Sequence, residues 1–303
     1  MKLVQFYLPG EGSRVGVLDG DAIVDITEKN RGSALELIEA AYEAGEAFET
    51  FMERQWSKAK KSSPLSYEAL NVPPDRSKPH LLIPISPPEV WGAGVTYKRS
   101  AEFRDEDATR QIGSRSSMYD YVYSSPRPEL FFKATAPRCV GPNGYIGVRR
   151  DSKLTAVEPE IAYVVGKNQE ILGYTISNDV SAWDIERENP LYLPQSKIFL
   201  GCCALGPMLV TASEIDPYNL NVTCRIFRDG RLAFEGSVHT SMIKRSFKEL
   251  NEYLYRDNFV PAGTVVSTGT GIIVPNEYAL RGGDRVEIEV DGIGTLSNPV
   301  KQW

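Results

Sequence analysis

From residue 2 to residue 27 the apolar positions fall in short runs, LVQFYL, RVGVL and AIVDI, separated by Gly and Asp. Runs of this length between turn residues predict a small β element. The period then lengthens. Leu35, Leu37, Ile38, Tyr42, Phe48, Phe51 and Met52 recur at helical spacing to about Ser57, with Ser33 as the cap and Gly45 as an interruption. Between Ser62 and Pro88 seven prolines break every period, which reads as a wrapping segment. We place a domain boundary near residue 75, giving a small N-terminal α/β domain (1–75) and a larger one (76–303).

Beyond the boundary strand patterns dominate. They cover Val90 to Tyr97, the run entering Lys133 from Arg127, Leu200 to Val210, and Val222 to Phe227 with Arg231 to Phe234 about an Asp229-Gly230 turn. Val265 begins a strand that runs into a Gly/Thr loop, Asp284 to Val290 alternates cleanly, and a last strand lies near Leu296. Phe247 to Tyr255 is the clearest later helix, and 184–189 a short charged helix or turn. Pro190 to Lys197 reads as an irregular loop. Lys98 to Met118, charged and poor in apolar residues, reads as an exposed helix or a lid. The fold class is therefore β-rich α+β, with the sheet closed into a barrel or roll.

One stretch departs from ordinary alternation. Glu158 and Glu160 stand two residues apart at the start of the β-branched run EIAYVV, so their side chains share a strand face. A turn about Asn168 and Gln169 would bring Asp179, at the end of the next run, opposite Glu158. Two readings are open. The acids could sit on a solvated strand face, or three carboxylates could converge, a repulsion that a divalent cation would relieve. Oxygen-only ligands favour Mg²⁺, with Mn²⁺ or Ca²⁺ as alternatives. Pro159 between the two glutamates marks an edge or bulge, which favours the second reading.

Composition narrows the partners. With 42% hydrophobic and 24% charged residues the chain can bury a sizeable core. A net charge of −6 offers no basic surface for nucleic acid or a membrane. Met1 to Tyr7 is too short for a signal segment, so a cytoplasmic protein is expected. The four cysteines form no C-x-x-C pair, and His80 and His239 are the only histidines, so a disulfide framework, a zinc site and a histidine-rich metal site are not expected.

The motifs VEPEIAYVVG, GYTISNDVSAWD, SKIFLGCCALGPMLVTASEI, VVSTGTG and GGDRVEIEVDGIGTLSNPV, in that order, resemble the fumarylacetoacetate hydrolase superfamily over roughly residues 88–300. The resemblance implies a β-roll core, a divalent metal on Glu158, Glu160 and Asp179, and Lys197 and Thr270 facing the substrate. Two positions depart from it. Ser100 stands where the hydrolases usually carry a histidine, and Trp183 stands in place of the usual arginine. RPELFFKAT, RCVG and ENPLYLPQSKIFLGCCALGP are similar to a narrower branch, the dehydratases of 2-keto-3-deoxy sugar acids, in which that histidine is also missing.

This likeness implies loss of water from a 2-keto-3-deoxy pentonate to give 2,5-dioxopentanoate. Glu129 and Lys197 are then the candidate base and acid, with Glu186 as a third. Thr270 and the amides near Gly269 would hold the substrate carboxylate, and Lys133, Tyr97 and Arg99, with Arg104, would lie toward the rest of it. A homo-oligomer is also expected by analogy. Three other activities compete: an imine-forming lyase acting through Lys197, a metal-dependent hydrolase or decarboxylase of a diketo acid, and a non-catalytic sugar-acid binding protein.

Overall fold

The computed structural model describes residues 1–28, 31–59, 64–98 and 118–303. The expectations for Arg99, Ser100, Arg104 and most of the Lys98 to Met118 segment lie outside these residues. Three N-terminal strands, Lys2–Leu8, Gly12–Asp19 and Ala22–Asp25, form a meander. The single helix pattern that follows becomes two helices, Ala34–Glu43 and Phe48–Ala59, parted at Gly45, whose φ of 67° suits glycine. Ser33 and Glu36 close a capping box at the first of them. Leu37, Ile38 and Ala41 form its buried stripe.

The meander does not stand apart. Lys2 and Leu3 pair with Val210 and Leu209, so the strand Lys2–Leu8 extends the sheet of the rest of the chain across residue 75. From there the sheet runs through Cys203–Thr211, Ile171–Asp179, Pro159–Val165, Val265–Ser267, Val90–Gly94 and Glu129–Ala134. A second, five-stranded sheet contains Arg231–His239, Asn221–Arg228, Arg285–Val290, Gly294–Gln302 and Ile146–Val148. Its alternate residues Val222, Cys224, Ile226, Val286 and Ile288 are buried. The hairpin joining its first two strands turns at Asp229 and Gly230, both at positive φ, as the twist of a two-residue hairpin requires.

The direction of the strands places the site. Pro159–Val165 runs antiparallel to both Ile171–Asp179 and Val265–Ser267, the latter parallel to Val90–Gly94, and that in turn antiparallel to Glu129–Ala134. The starts of the first and last of these strands and the ends of the other three therefore meet at one edge. Glu158, Glu160, Asp179, Gly269, Val95 and Glu129 all lie at that edge.

One local expectation is corrected. Pro190 to Lys197 is not irregular but a 3₁₀ turn, Pro190–Tyr192, leading into a short helix, Leu193–Lys197. Asn189 caps the turn by accepting from Leu191 N–H at 2.9 Å, and Pro190 and Pro194 sit in first-turn positions where a missing N–H costs nothing. The helix carries Lys197 into the interior.

Candidate metal centre and active site

The hairpin between Pro159–Val165 and Ile171–Asp179 turns at 166–170, with Gln169 at φ 68°. Its register sets Glu160 beside Ser177, and two steps further the Asp179 N–H donates to the Glu158 carbonyl at 3.0 Å. Glu158 thus faces Asp179, as the equal distances from the turn predict. Glu158, Glu160 and Asp179 are all buried, and one oxygen from each lies within 4.8 Å of the others.

Two lysines meet this acidic cluster. Lys197 Nζ donates to Glu158 Oε2 and Asp179 Oδ2, both at 2.9 Å, and to Ser181 Oγ at 2.7 Å. Its ammonium also lies 5.1 Å from the centre of the Phe131 ring. Lys133 approaches Asp179 Oδ1 to 2.5 Å at angles outside those of a directed hydrogen bond. The other oxygen of Glu158 accepts from Trp183 Nε1 at 2.6 Å, and Glu160 Oε2 accepts from the Gly269 N–H at 2.8 Å.

The electrostatics separate the acids. Burial, then repulsion from Asp179 and Glu158, holds Glu160 well above the usual carboxylate range, against the Gly269 amide and Lys197. Burial acts the same way on Asp179, but Lys133 and Lys197 outweigh it and bring it down to about 2. Burial disfavours the Lys133 charge, but Asp179 together with Cys202 and Cys203 outweighs it, so its value is raised. Tyr97 is pushed up by burial and by the nearby Glu160.

This cluster suits a hard dication. The donors are carboxylate oxygens only, and Asp179 Oδ1, although buried, accepts no hydrogen bond. Its close counter-charge is the Lys133 ammonium at 2.5 Å. Around the cluster the cleft is lined by Ala93, Gly94, Val95, Glu129, Phe131 and Thr270. Space requires glycine at 269, and a side chain at 94 would displace Glu129. A Cβ on Gly94 would stand 2.0 Å from Glu129 Oε2, and one on Gly269 would stand 2.1 Å from Thr96 Oγ1. Gly269 also holds φ at 89°, and Val95 stands at φ 53°, an unusual conformation for a β-branched residue.

The candidate residues divide by position. Glu129, Lys197, Gly269 and Thr270 border the cleft with the three acids. The Gly269 N–H is directed at Glu160, and the Thr270 hydroxyl accepts from Ile272 N–H at 3.1 Å, closing its own turn. Glu186 is buried on the helix Trp183–Glu188 and is not among the residues lining the cleft. Tyr97 is buried, with its ring beside Gly271, and is not among the residues lining the cleft. Lys133 lies behind Asp179, enclosed by backbone carbonyls.

Sequence reasoning missed Phe131 and Ser181. Phe131 was legible as the residue two after Glu129 on the same strand face, whereas Ser181 carries no signal until Lys197 is seen to reach it. Neither histidine lines the cleft. His80 packs on Tyr7, and the His239 ring bonds the Ser241 hydroxyl.

A β-roll whose strand ends gather three buried acids, two buried lysines and a glycine amide is the arrangement of a metal-dependent enzyme of the fumarylacetoacetate hydrolase group. The model of the fumarylacetoacetate (FAA) hydrolase C-terminal family matches residues 90–301, and the chain belongs to that family.

Among its relatives, the 2-dehydro-3-deoxy-D-arabinonate dehydratase of Saccharolobus solfataricus is 51% identical over 221 residues, covering 72% of this chain and 74% of the relative. A probable 2-keto-3-deoxyxylonate dehydratase of Haloferax volcanii is 45% identical over 222 residues, 73% of this chain and 75% of its own. The solved structure of 2-keto-3-deoxy-D-arabinonate dehydratase complexed with magnesium and 2,5-dioxopentanoate superimposes with a TM-score of 0.82 at 40% identity. It covers 100% of this chain and 99% of that one. No helix among the described residues is long and apolar enough to cross a membrane.

Proposed function

We propose that this protein is a Mg²⁺-dependent hydro-lyase that removes water from a 2-keto-3-deoxy pentonate to give 2,5-dioxopentanoate. One observation carries the reading. Glu158, Glu160 and Asp179 form a buried oxygen-only cluster beside Lys197 and Glu129, in a chain 51% identical to a dehydratase of such an acid. A divalent cation bound there supplies Lewis-acid polarisation of the substrate's ketone.

The remaining work falls to the chain itself. Glu129, half-buried at the cleft mouth, takes the C3 proton. Lys197, an ammonium held by two carboxylates and Ser181, donates to the departing C4 hydroxyl. Elimination leaves a 2-keto-3-ene acid that still carries the C5 hydroxyl. Loss of a C5 proton and return of a proton to C3 give the C4–C5 enol, which tautomerises to the C5 aldehyde of the dioxo acid without loss of carbon. Phe131 forms an apolar floor beneath Lys197. Thr270 borders the same space and orients the substrate carboxylate.

The test is incubation with a panel of 2-keto-3-deoxy pentonates and Mg²⁺, with products identified by mass. A five-carbon product one water lighter is expected. A product with fewer carbons would move the reading to a hydrolase or decarboxylase, and tight binding without turnover to a binding protein. Lys197 lies between two carboxylates, surroundings that favour an ammonium over the neutral amine an imine-forming lyase needs. Borohydride should therefore trap no adduct.

We further propose a cytoplasmic homo-oligomer, to be checked by fractionation and light scattering. We also propose a division near residue 75, supported by the family match that starts at residue 90. Limited proteolysis should cut first in the proline-rich stretch.

A further inference from the structure

Lys133, expected from the sequence to lie toward the substrate, is given no step in the proposed dehydration, and it is fully buried behind Asp179. Strand alternation puts Glu129, Phe131 and Lys133 on one face. The first two line the cleft, and the third lies deeper, sealed from solvent. Its Nζ donates to the Val180 carbonyl at 2.8 Å and the Lys197 carbonyl at 2.7 Å, and rests 2.5 Å from Asp179 Oδ1. An ammonium has three N–H groups, and three oxygens surround this one.

Those oxygens belong to an acid of the cluster, to the residue that follows it, and to the residue whose side chain bridges Glu158 and Asp179. A buried ammonium is unfavourable unless its neighbours hold it closely, so each of the three is held in return. The aromatic ring of Phe199, 5.8 Å away, closes one side.

We propose that Lys133 is a positioning residue. It touches neither substrate nor ion, and it ties Asp179 to the backbone of Lys197, so that the carboxylate cluster and the Lys197 ammonium keep a fixed separation. The claim rests on the dehydratase reading for its effect on turnover, but the tie concerns the protein's own atoms.

The test compares Lys133→Met and Lys133→Gln with the parent enzyme, reading Mn²⁺ affinity by electron paramagnetic resonance and kcat and KM for the keto acid. Partners behind metal ligands are typically worth about 10- to 100-fold in affinity or activity. Mn²⁺ binding should weaken and kcat should fall by that order, with KM within about threefold. Removing a positive charge beside a cation site would by itself tighten cation binding. Tighter Mn²⁺ binding would therefore reduce Lys133 to a bare charge and overturn the proposal. So would unchanged kcat and affinity, or a raised KM with kcat intact, which would make Lys133 a substrate contact.

The ¹⁵N signal of the Lys133 ammonium in the parent protein tests the same claim should neither variant fold. It should be protected from solvent and stay in place when keto acid is added. A shift on that addition overturns the proposal. Parent protein that binds no Mn²⁺ would sink the metal reading instead, leaving Lys133 to be judged on this signal.

Discussion

Two Glu-x-Glu strands in this chain look alike in sequence and differ entirely in the fold. Glu287 and Glu289 lie on the strand Arg285–Val290, whose valines and isoleucine face the core while its acids face outward. Arg225 joins Glu289 at 2.8 Å and Glu235 at 2.6 Å, with side chains 30–51% exposed. Glu158 takes part in the same kind of arrangement, one cation between two carboxylates. There Lys197 lies between Glu158 and Asp179, and all three side chains are at most 4% exposed. Water screens the first trio and makes it nearly neutral in energy. Its exclusion from the second makes the charges strong and dependent on one another.

The sharpest way to break this comparison is to neutralise one acid from each strand. Glu160→Gln should lower kcat/KM by about 10³-fold, the order lost when a group that stabilises developing charge is removed. Glu289→Gln should leave turnover within about twofold, as an exposed substitution does. Steady-state kinetics on both variants decides it. Equal losses, or none, would end the distinction between the two strands.

A second separation comes from ligand linkage. At a concentration 100 times its dissociation constant, an ion that binds only the folded chain adds about 2.7 kcal/mol. For a chain of this length that raises the melting temperature by roughly 4 °C. Mg²⁺ should give such a rise, and a chelator should reverse it. Glu289→Gln should keep the response, and Glu160→Gln should lose it.

The difference between the strands is partly legible in the sequence alone. After Glu160 the chain continues IAYVV, a run buried on both faces, whereas DRVEIEV alternates strictly and so announces a wet face. The hairpin count that sets Glu158 against Asp179 is legible too, because a strand's two-residue period leaves little freedom once the turn is located. Lys197 is harder. Its segment looks irregular, and only the Asn189 cap and the short helix after it turn the side chain inward. The inward role of Lys133 cannot be read, since alternation assigns a face but not a depth. Trp183 is visible as a departure, but its partner is not, because residues 158 and 183 are brought together only by the fold.

Trp183 gives a smaller test on the buried side. Its indole N–H is a neutral donor aimed at Glu158 Oε1 and shielded from solvent. Trp183→Phe keeps most of the ring and removes the donor. Mn²⁺ affinity and kcat should each drop about tenfold, at the lower end of what such partners contribute. Titration calorimetry and kinetics check it, and an unchanged ion affinity would mean that the Trp183 bond does not help to hold Glu158 for the ion.

The smallest effect belongs to the exposed trio. Arg225→Met removes both ion pairs but keeps an aliphatic stem over the sheet, so the charge contribution is isolated from packing. Pairs this exposed contribute between zero and about 1 kcal/mol, which is a shift of no more than roughly 2 °C in melting temperature. Any such shift should shrink in 1 M salt, where the screening length is about 3 Å. The Mg²⁺-induced rise should survive that salt far better, because the acids it depends on are out of water. Scans of parent and Arg225→Met with and without salt, each repeated with Mg²⁺, measure both terms in one experiment. If salt removed the Mg²⁺ response as readily as the Arg225 contribution, the two Glu-x-Glu strands would be electrostatically alike after all.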